Sequence, residues 1–197
     1  MTNFWDERFA AEEYVYGTEP NEFVKQELQT LKPGKILFPG EGEGRNAVYA
    51  AQLGWDVTAF DSSSEGKAKA ERLAKSKNVA IDYQLAAYHE ANFAAESFDA
   101  LVLIYTHVPA AMRREYHQKF LSFLKPGGYL LAEAFSKEQI NNNTGGPRDI
   151  NMLWSEEELE GDFATLSNLK VELLETELQE GEFHMGKAAV IRAVGKK

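Results

Sequence analysis

From residue 34 onward, short apolar runs alternate with stretches in which apolar residues recur at helical spacing. This order of strand, helix and strand is typical of a parallel sheet whose crossovers are helices. Runs rich in branched and aromatic residues predict strands at 35–38, 57–60, 80–85, 98–105 and 129–135. The stretches between them predict helices at 46–53, 64–77 and 110–124. The alternation therefore predicts an α/β fold with a mostly parallel sheet.

The end of the chain departs from this rhythm. Residues 169–178 and 182–193 are two strand-like runs with only a short gap between them, which predicts an antiparallel C-terminal hairpin. Residues 141–147 form the most loop-like stretch, and a loop that follows a strand's carboxyl end is a candidate lid.

The chain's length of 197 residues and its 44% hydrophobic content are sufficient for one domain with its own core. We expect one domain over 1–197, with an N-terminal helical lid segment at 1–30 and a core at 34–197. A formal net charge of −10 repels phosphate backbones, so no nucleic-acid partner is expected. The basic residues within 67–77 fall at helical spacing and are interpreted as a solvated helix face.

No apolar run approaches the roughly 20 residues that cross a bilayer, so no membrane partner is expected. The first residues have neither the basic start nor the apolar stretch of a secretory signal, which favours a cytoplasmic location. The absence of cysteine excludes disulfides, zinc–thiolate sites and cysteine nucleophiles.

Three glycines, Gly40, Gly42 and Gly44, stand at alternate positions between the first strand and the helix after it. Glycine permits positive φ and removes the side chain that would keep a ligand from the backbone. A dinucleotide site favours the order G-x-G-x-x-G, whereas this order is G-x-G-x-G followed by Arg45. The match to a pyrophosphate site is therefore imperfect.

Acidic side chains surround this glycine loop. Glu41 and Glu43 would repel a pyrophosphate but tolerate a sulfonium and an ammonium group, which favours S-adenosylmethionine over NAD. Asp61 ends the second strand, where a carboxylate can accept hydrogen bonds from both ribose hydroxyls. Asp61 could instead cap the helix that begins at Ser62-Ser63-Ser64, for which Ser62 and Glu65 have the spacing of a capping box.

These motifs occur with two others in a recognisable order. The segment Ser97-Phe98-Asp99-Ala100-Leu101-Val102 enters the fourth strand, and Leu124-Lys125-Pro126-Gly127-Gly128 precedes the fifth. In this order the chain resembles the class I S-adenosylmethionine-dependent methyltransferases over nearly its whole length. Gly42-Glu43-Gly44-Arg45-Asn46-Ala47 and Tyr16-Gly17-Thr18-Glu19-Pro20-Asn21 make it most similar to the small bacterial branch related to tellurite-resistance and thiopurine methyltransferases.

The resemblance implies a Rossmann-like three-layer sandwich with a seven-stranded sheet whose last strand is antiparallel. It implies S-adenosyl-L-methionine as cofactor, with the glycines along its methionine and ribose portion, Asp61 on the ribose and Tyr88 beside the adenine. Trp5, Tyr16 and Asn21 would close over it. The full set of predicted cofactor-binding residues is Gly40, Glu41, Gly42, Gly44, Arg45, Asn46, Asp61, Ser62, Ala87, Tyr88, Tyr105, Trp5 and Tyr16.

Two positions depart from the family pattern. Many relatives carry an acidic residue where Phe38 stands, and another, which contacts the adenine amino group, where Ala87 stands. Glu41 or Glu43 could offset the first loss. The second leaves adenine to the backbone and to stacking on Tyr88.

Methyl transfer from a sulfonium is an in-line displacement, so the protein mainly aligns the acceptor and excludes water. In an open α/β sheet the acceptor lies beyond the strands' carboxyl ends, near residues 105–107 and 133–135. His107 is the candidate catalytic proton acceptor, and a structural histidine is the alternative. His184 is interpreted as structural. The histidines lack the grouping of a metal site, so no metal is predicted.

The sequence thus predicts a methyltransferase for a small acceptor, a soft nucleophile or an oxyanion, in a monomer or homodimer. Two alternatives stay open. One is a binder of the same cofactor that has lost transfer activity, because of Phe38 and Ala87. The other is an NAD-dependent oxidoreductase, because a strand, a glycine loop and an acid such as Asp61 also occur in that class.

Overall fold

A computed structural model describes residues 4–197, which form two compact units. The first unit comprises residues 4–92 together with Glu180–Glu182, and it holds the first seven elements. These are α1 (Phe4–Phe9), α2 (Glu22–Leu28), β1 (Lys35–Pro39), α3 (Arg45–Gln52), β2 (Asp56–Asp61), α4 (Ser64–Ser76) and β3 (Asp82–Leu85). Strand β2 pairs in parallel with both β1 and β3.

The second unit comprises Phe93–Gln179 and Phe183–Lys197. Its elements are β4 (Phe98–Ile104), α5 (Ala110–Phe123), β5 (Leu124–Phe135), two short 3₁₀ helices (Lys137–Asn141 and Ile150–Met152), α6 (Glu156–Asp162), β6 (Ser167–Gln179) and β7 (Met185–Lys196). Strands β4 and β5 are parallel, whereas β7 is antiparallel to both β5 and β6.

The seven strands form one mixed sheet in the order β3-β2-β1-β4-β5-β7-β6. This confirms the predicted fold class: a mostly parallel, Rossmann-like sheet with an antiparallel C-terminal hairpin. The predicted single-domain organisation stays a prediction. Within residues 4–197, no helix is both long and apolar enough to traverse a bilayer.

Apolar packing in each unit follows the sequence pattern. In the first unit, Val48 of α3 packs with Leu73 and Ala74 of α4, and Tyr14 lies against this cluster. In the second, Phe135 packs with Leu178 and Val190 at the end of β5. Burial of a Val, Leu or Phe side chain contributes about 1.5–3 kcal/mol, so the first cluster holds α3 against α4 and the second fixes the end of β5.

The four-residue spacing of Met112, Tyr116, Phe120 and Leu124 predicts one apolar stripe for α5, and Tyr116, Phe120 and Leu124 are buried as expected. The spacing places Met112 on the apolar stripe, yet its side chain is exposed, whereas Arg113 and His117 are buried. Arg113 Nε lies 3.0 Å from Asp162 Oδ2, and His117 Nδ1 lies 2.9 Å from the same oxygen. The carboxylate of α6 thus compensates two buried polar side chains that an apolar pattern cannot predict.

Of two local predictions on α4, one was wrong and the other holds only in part. Ser63, not Ser62, is the N-cap residue, and its Oγ accepts from the N–H of Gly66 at 3.0 Å. The predicted solvated face holds for Arg72, Lys75 and Lys77, which are exposed, but not for Lys69, which is only 2% exposed and pairs with Glu43. A buried counter-charge explains how this lysine can leave water.

Candidate functional site

The glycine loop joins β1 to α3 with left-handed backbone at all three glycines: φ is 65° at Gly40, 62° at Gly42 and 89° at Gly44. Other residue types seldom adopt this conformation. The N–H of Gly40 donates to the carbonyl of Phe60 at 2.8 Å, which fixes the loop to the end of β2.

Each glycine is also in close contact with another part of the first unit. A Cβ at Gly44 would lie 2.5 Å from the Cβ of Ala70, and one at Gly42 would lie 3.1 Å from the ring of Phe9. A Cβ at Gly40 would collide with the hydroxyl of Tyr88. The loop therefore requires glycine both for its backbone and for close packing.

Asp61 orders the start of this loop. One of its carboxylate oxygens accepts from the N–H of Gly42 at 3.1 Å, and the other accepts from the N–H of Ser63 at 2.9 Å. Burial raises the pKa of its carboxyl. Each carboxylate oxygen has a second lone pair, so Asp61 can accept a ribose hydroxyl while it keeps these bonds. The exposed Ser62 follows directly.

The two loop glutamates have different partners. Glu43 is buried, lies 2.7 Å from Lys69 Nζ, and accepts from the N–H groups of Val15 and Tyr16 at 2.9 and 3.3 Å. The interpretation of Glu43 as a group for a cationic ligand is therefore wrong, because its charge is already compensated.

Glu41 is only half-buried, and its Oε1 accepts from the N–H groups of Asn46 and Ala47 at 2.9 and 2.8 Å. These are among the first N–H groups of α3, which lack partners within the helix. Desolvation by burial raises the pKa of Glu41 to about 7. A carboxylate that caps a helix in a glycine loop is thus close to its protonation midpoint at neutral pH.

The N-terminal segment lies against the same loop. Phe9 stacks on Trp5 with ring centroids 5.5 Å apart and meets Tyr16 edge-on at 6.3 Å. Asp6 accepts from the hydroxyl of Ser63 at 2.7 Å. The predicted aromatic residues Trp5 and Tyr16 therefore do lie beside the glycine loop through Phe9, although Trp5 is 38% exposed.

Residues 13–21, which we call the strap, have further polar anchors. The N–H of Asn21 donates to the side chain of Asn46 at 2.9 Å, and its side-chain amide donates to Glu180 at 3.0 Å. Arg45 pairs with the same Glu180 at 2.8 Å, and both side chains are nearly buried. Arg45 and Asn46 thus fix the strap and the Glu180–Glu182 turn within the first unit.

Strand β3 supplies a site residue that sequence analysis missed. The buried hydroxyl of Tyr83 donates to the carbonyl of Gly42 at 2.5 Å. Burial, with the charges of Asp61 and Glu41, raises the pKa of Tyr83 well above 10, so the hydroxyl stays a donor. The sequence feature that could have indicated Tyr83 is its place in the predicted strand that follows Asp61. Beyond the strand, the N–H of Ala87 donates to Glu90 at 2.8 Å.

Tyr105 and His107 lie in the second unit, after the end of β4. Tyr105 has φ of 52°, a left-handed backbone that is strained for a bulky residue. Its N–H donates to the carbonyl of Glu133 at 2.8 Å, and its hydroxyl donates to the Glu133 side chain at 3.3 Å. Glu133 is buried and pairs with Arg192 at 2.6 Å.

Both ring nitrogens of His107 contact the backbone of the second unit. Nδ1 lies 2.8 Å from the carbonyl oxygen of Met152, and Nε2 accepts from the N–H of Phe135 at 3.3 Å. Burial lowers the pKa of His107 to about 4. The ring is therefore neutral at physiological pH, and its contacts support a structural role. His107 as the catalytic residue stays a prediction.

His184, beside this cluster, packs edge-on against Tyr105 and Phe135 with centroids 4.5 and 5.0 Å away. The loop after the first 3₁₀ helix lies on the same aromatics, because a Cβ at Gly146 would be 2.7 Å from the Phe135 ring. Arg148 donates within this loop, to Asn142 and Asn143. Among residues 4–197, no group of acids and histidines could hold a metal ion.

Known proteins with similar sequences include some that are described as methyltransferases. Residues 36–128 match the family model described as "Methyltransferase domain". A curated relative from Haemophilus influenzae, "Probable S-adenosyl-L-methionine-dependent methyltransferase TehB", is 30% identical over 122 residues, which are 59% of this chain and 42% of that protein. This chain thus spans less than half the length of that relative.

Two solved structures share the fold. The crystal structure of TehB from Haemophilus influenzae has a TM-score of 0.74 at 22% identity, over 90% of this chain and 62% of that chain. A structure described as "Conversion of a Disulfide Bond into a Thioacetal Group during Echinomycin Biosynthesis" has a TM-score of 0.76 at 17% identity, over 98% and 87%.

These matches agree with the mixed sheet and the glycine loop, because residues 36–128, which hold β1 to β4 and the loop, are similar to methyltransferase domains. TehB is similar to this chain both in the aligned sequence and in fold. The curated relative is named as S-adenosyl-L-methionine-dependent, and this is the cofactor that the sequence predicts for this chain. The first unit fits this cofactor, because the Asp61 carboxylate, which can accept ribose hydroxyls, is held 3.1 Å from the N–H of Gly42.

Proposed function

We propose that this protein transfers the methyl group of S-adenosyl-L-methionine to a small-molecule acceptor. The observation that carries the proposal is the hydrogen bond from the N–H of Gly42 to Asp61, which holds a carboxylate suited to ribose hydroxyls against the glycine loop. The glycine loop would hold the methionine and ribose portion, and Tyr88 would lie beside the adenine. Trp5, Tyr16 and Asn21 would cover the cofactor.

The cofactor supplies the electrophilic methyl, and this chain's residues bind, orient and exclude water. We place the acceptor at the carboxyl ends of β4 and β5 in the second unit, where Tyr105 and Glu133 are fixed. We expect an acceptor with a soft nucleophile or an oxyanion, and a soft nucleophile agrees with the structural neighbour whose description names conversion of a disulfide into a thioacetal, which is chemistry at sulfur. We expect a cytoplasmic monomer or homodimer without nucleic-acid partners.

Titration calorimetry with S-adenosylmethionine and S-adenosylhomocysteine tests the proposal. We expect both to bind at micromolar concentration, and Asp61→Ala to weaken both by roughly ten- to a hundredfold, because a charged hydrogen bond contributes roughly 1.5–3 kcal/mol. Failure of both ligands to bind at millimolar concentration would contradict the proposal.

A binder without transfer activity is the second candidate, because the fully buried Phe38 and the small Ala87 replace two acids of the family pattern. Incubation with isotopically labelled cofactor and a panel of thiols, selenols, amines and oxyanions distinguishes a methyltransferase from a binder without transfer activity. Transfer of label to any acceptor excludes the binder, whereas binding with no transfer across the panel supports it.

A further inference from the structure

Two charges around the glycine loop are compensated in ion pairs, whereas, within residues 4–197, Asp61 and Glu41 accept only from backbone N–H groups. Lys69 neutralises Glu43 at 2.7 Å, and Arg45 pairs with Glu180 at 2.8 Å. Glu41 has no cationic side chain within ion-pair distance among the described residues, and its Oε2 has no hydrogen-bond partner there. Its second oxygen is therefore available on a half-buried side chain beside Gly40 and Gly42.

We propose that the carboxylate of Glu41 attracts the positively charged sulfonium of S-adenosylmethionine. Glu41 would therefore favour this ligand over S-adenosylhomocysteine, whose thioether is neutral. The inference rests on the proposed cofactor site. A half-buried carboxylate favours a nearby cation because the low local dielectric strengthens their attraction. Methyl transfer removes this positive charge, so the same residue favours release of the product.

The groups that face Glu41 come from three elements. Arg45 of α3 lowers the pKa of the Glu41 carboxyl, Asp61 of β2 raises it, and Tyr83 of β3 lies within range of its charge. Since burial nevertheless brings the pKa of Glu41 to about 7, its charge changes between pH 6 and pH 8. Selectivity for the charged ligand should change over the same interval.

The experiment measures the affinities of both ligands by calorimetry at pH 6 and pH 8. Both ligands carry the same amino-acid group, so the ratio of their affinities isolates the sulfonium. In the wild type we expect the ratio, in favour of S-adenosylmethionine, to rise about fivefold with pH, as expected for roughly 1 kcal/mol from one half-buried pair. In Glu41→Gln the ratio should not change with pH, because glutamine keeps the carbonyl oxygen for Asn46 and Ala47 but carries no charge.

Asp61→Asn is the comparison variant: it should weaken both ligands alike and, because it removes a charge that raises the pKa of Glu41, move the change of the ratio to lower pH without removing it. A wild-type ratio that does not change with pH would overturn the inference, as would a Glu41→Gln variant that loses affinity for both ligands equally. If neither ligand binds the wild type, the proposed cofactor site fails instead. Thermal unfolding of Glu41→Gln verifies that the variant is folded.

Discussion

Glu41 and His107 show how burial sets the charge of single residues in opposite directions. Burial raises the pKa of the Glu41 carboxyl to about 7 and lowers the pKa of the His107 ring to about 4. Both side chains are therefore held towards their neutral forms. Each shift makes the free energy of unfolding depend on pH. The contribution of Glu41 decreases as the pH rises, and the contribution of His107 decreases as the pH falls.

For Glu41, the folded protein binds a proton between pH 4.5 and 7 that the unfolded chain releases. Stability from this group is full below about pH 4.5 and decreases as the pH rises to 7, by up to about 3 kcal/mol. We expect Glu41→Gln to remove this decrease, so that its gain in stability over the wild type is larger at pH 8 than at pH 5. Urea denaturation at both pH values measures the difference in free energy of unfolding between the variant and the wild type. An equal difference at pH 5 and pH 8 would contradict the prediction.

For His107, the unfolded chain binds a proton below pH 6.5 that the folded protein rejects until about pH 4. Stability from this group is full above pH 6.5 and decreases as the pH falls towards 4, by about 3 kcal/mol in total. We expect His107→Phe to lose the decrease in stability at acid pH, because phenylalanine binds no proton. The variant should be less stable than the wild type at pH 8, because the contacts of the His107 ring with the backbone of Met152 and Phe135 are absent. His89→Phe, at an exposed loop position, is the control and should keep the wild-type profile.

At the scale of elements, ion pairs that are remote in sequence fix helices and the strap. Lys69 on α4 lies 26 positions from Glu43, and besides that pair its Nζ donates to the carbonyl of Glu13 at 2.6 Å. Glu43 in turn holds the N–H groups of Val15 and Tyr16. Removing this lysine should therefore loosen the whole strap and not only α4.

Lys69→Met should cost about 3 kcal/mol, because it leaves the Glu43 carboxylate buried without a counter-charge. Lys67→Met, on the same helix with its charge near the surface, should change stability by no more than about 0.5 kcal/mol. A glutamate-specific protease should then cut the strap after Glu13 or Glu19 faster in Lys69→Met. Equal cleavage of the two variants would show that the pair does not hold the strap.

Helices α5 and α6 depend on Asp162 in the same way. Asp162→Asn should cost about 2–3 kcal/mol in urea denaturation, because the buried guanidinium of Arg113 and the ring of His117 lose their shared carboxylate. Glu160→Gln, on the exposed side of the same helix, should be neutral. If Asp162→Asn is as stable as Glu160→Gln, the network contributes nothing to the packing of these helices.

At the scale of the whole molecule, bound cofactor should stabilise the fold. S-adenosylhomocysteine at 100 times its Kd adds about 2.7 kcal/mol, which raises the Tm of a chain of this size by roughly 5–10 °C. NADH at the same concentration should leave the Tm unchanged, since the loop lacks the dinucleotide spacing. Scanning calorimetry measures both, and a shift with NADH alone would favour the oxidoreductase alternative.

The sequence was sufficient for the fold class because alternating apolar runs and the glycine loop are local signals. Bounds of strands such as β1 and β4 were predicted within one or two residues. The charge partners were not predictable, because Glu43 and Lys69, or Arg113 and Asp162, meet only when distant elements pack. Helix periodicity likewise cannot show that Arg113 is buried while Met112 is exposed.

The close packing of the three glycines also limits how this loop can change over evolutionary time. A larger residue at position 44 can be accepted only if Ala70 or the path of α4 changes with it, and position 42 is coupled in the same way to Phe9. Position 40 is coupled to Tyr88. An alignment of relatives should therefore show paired substitutions at 44 and 70 and at 40 and 88. The loop and the residues that pack against it should thus change together during evolution.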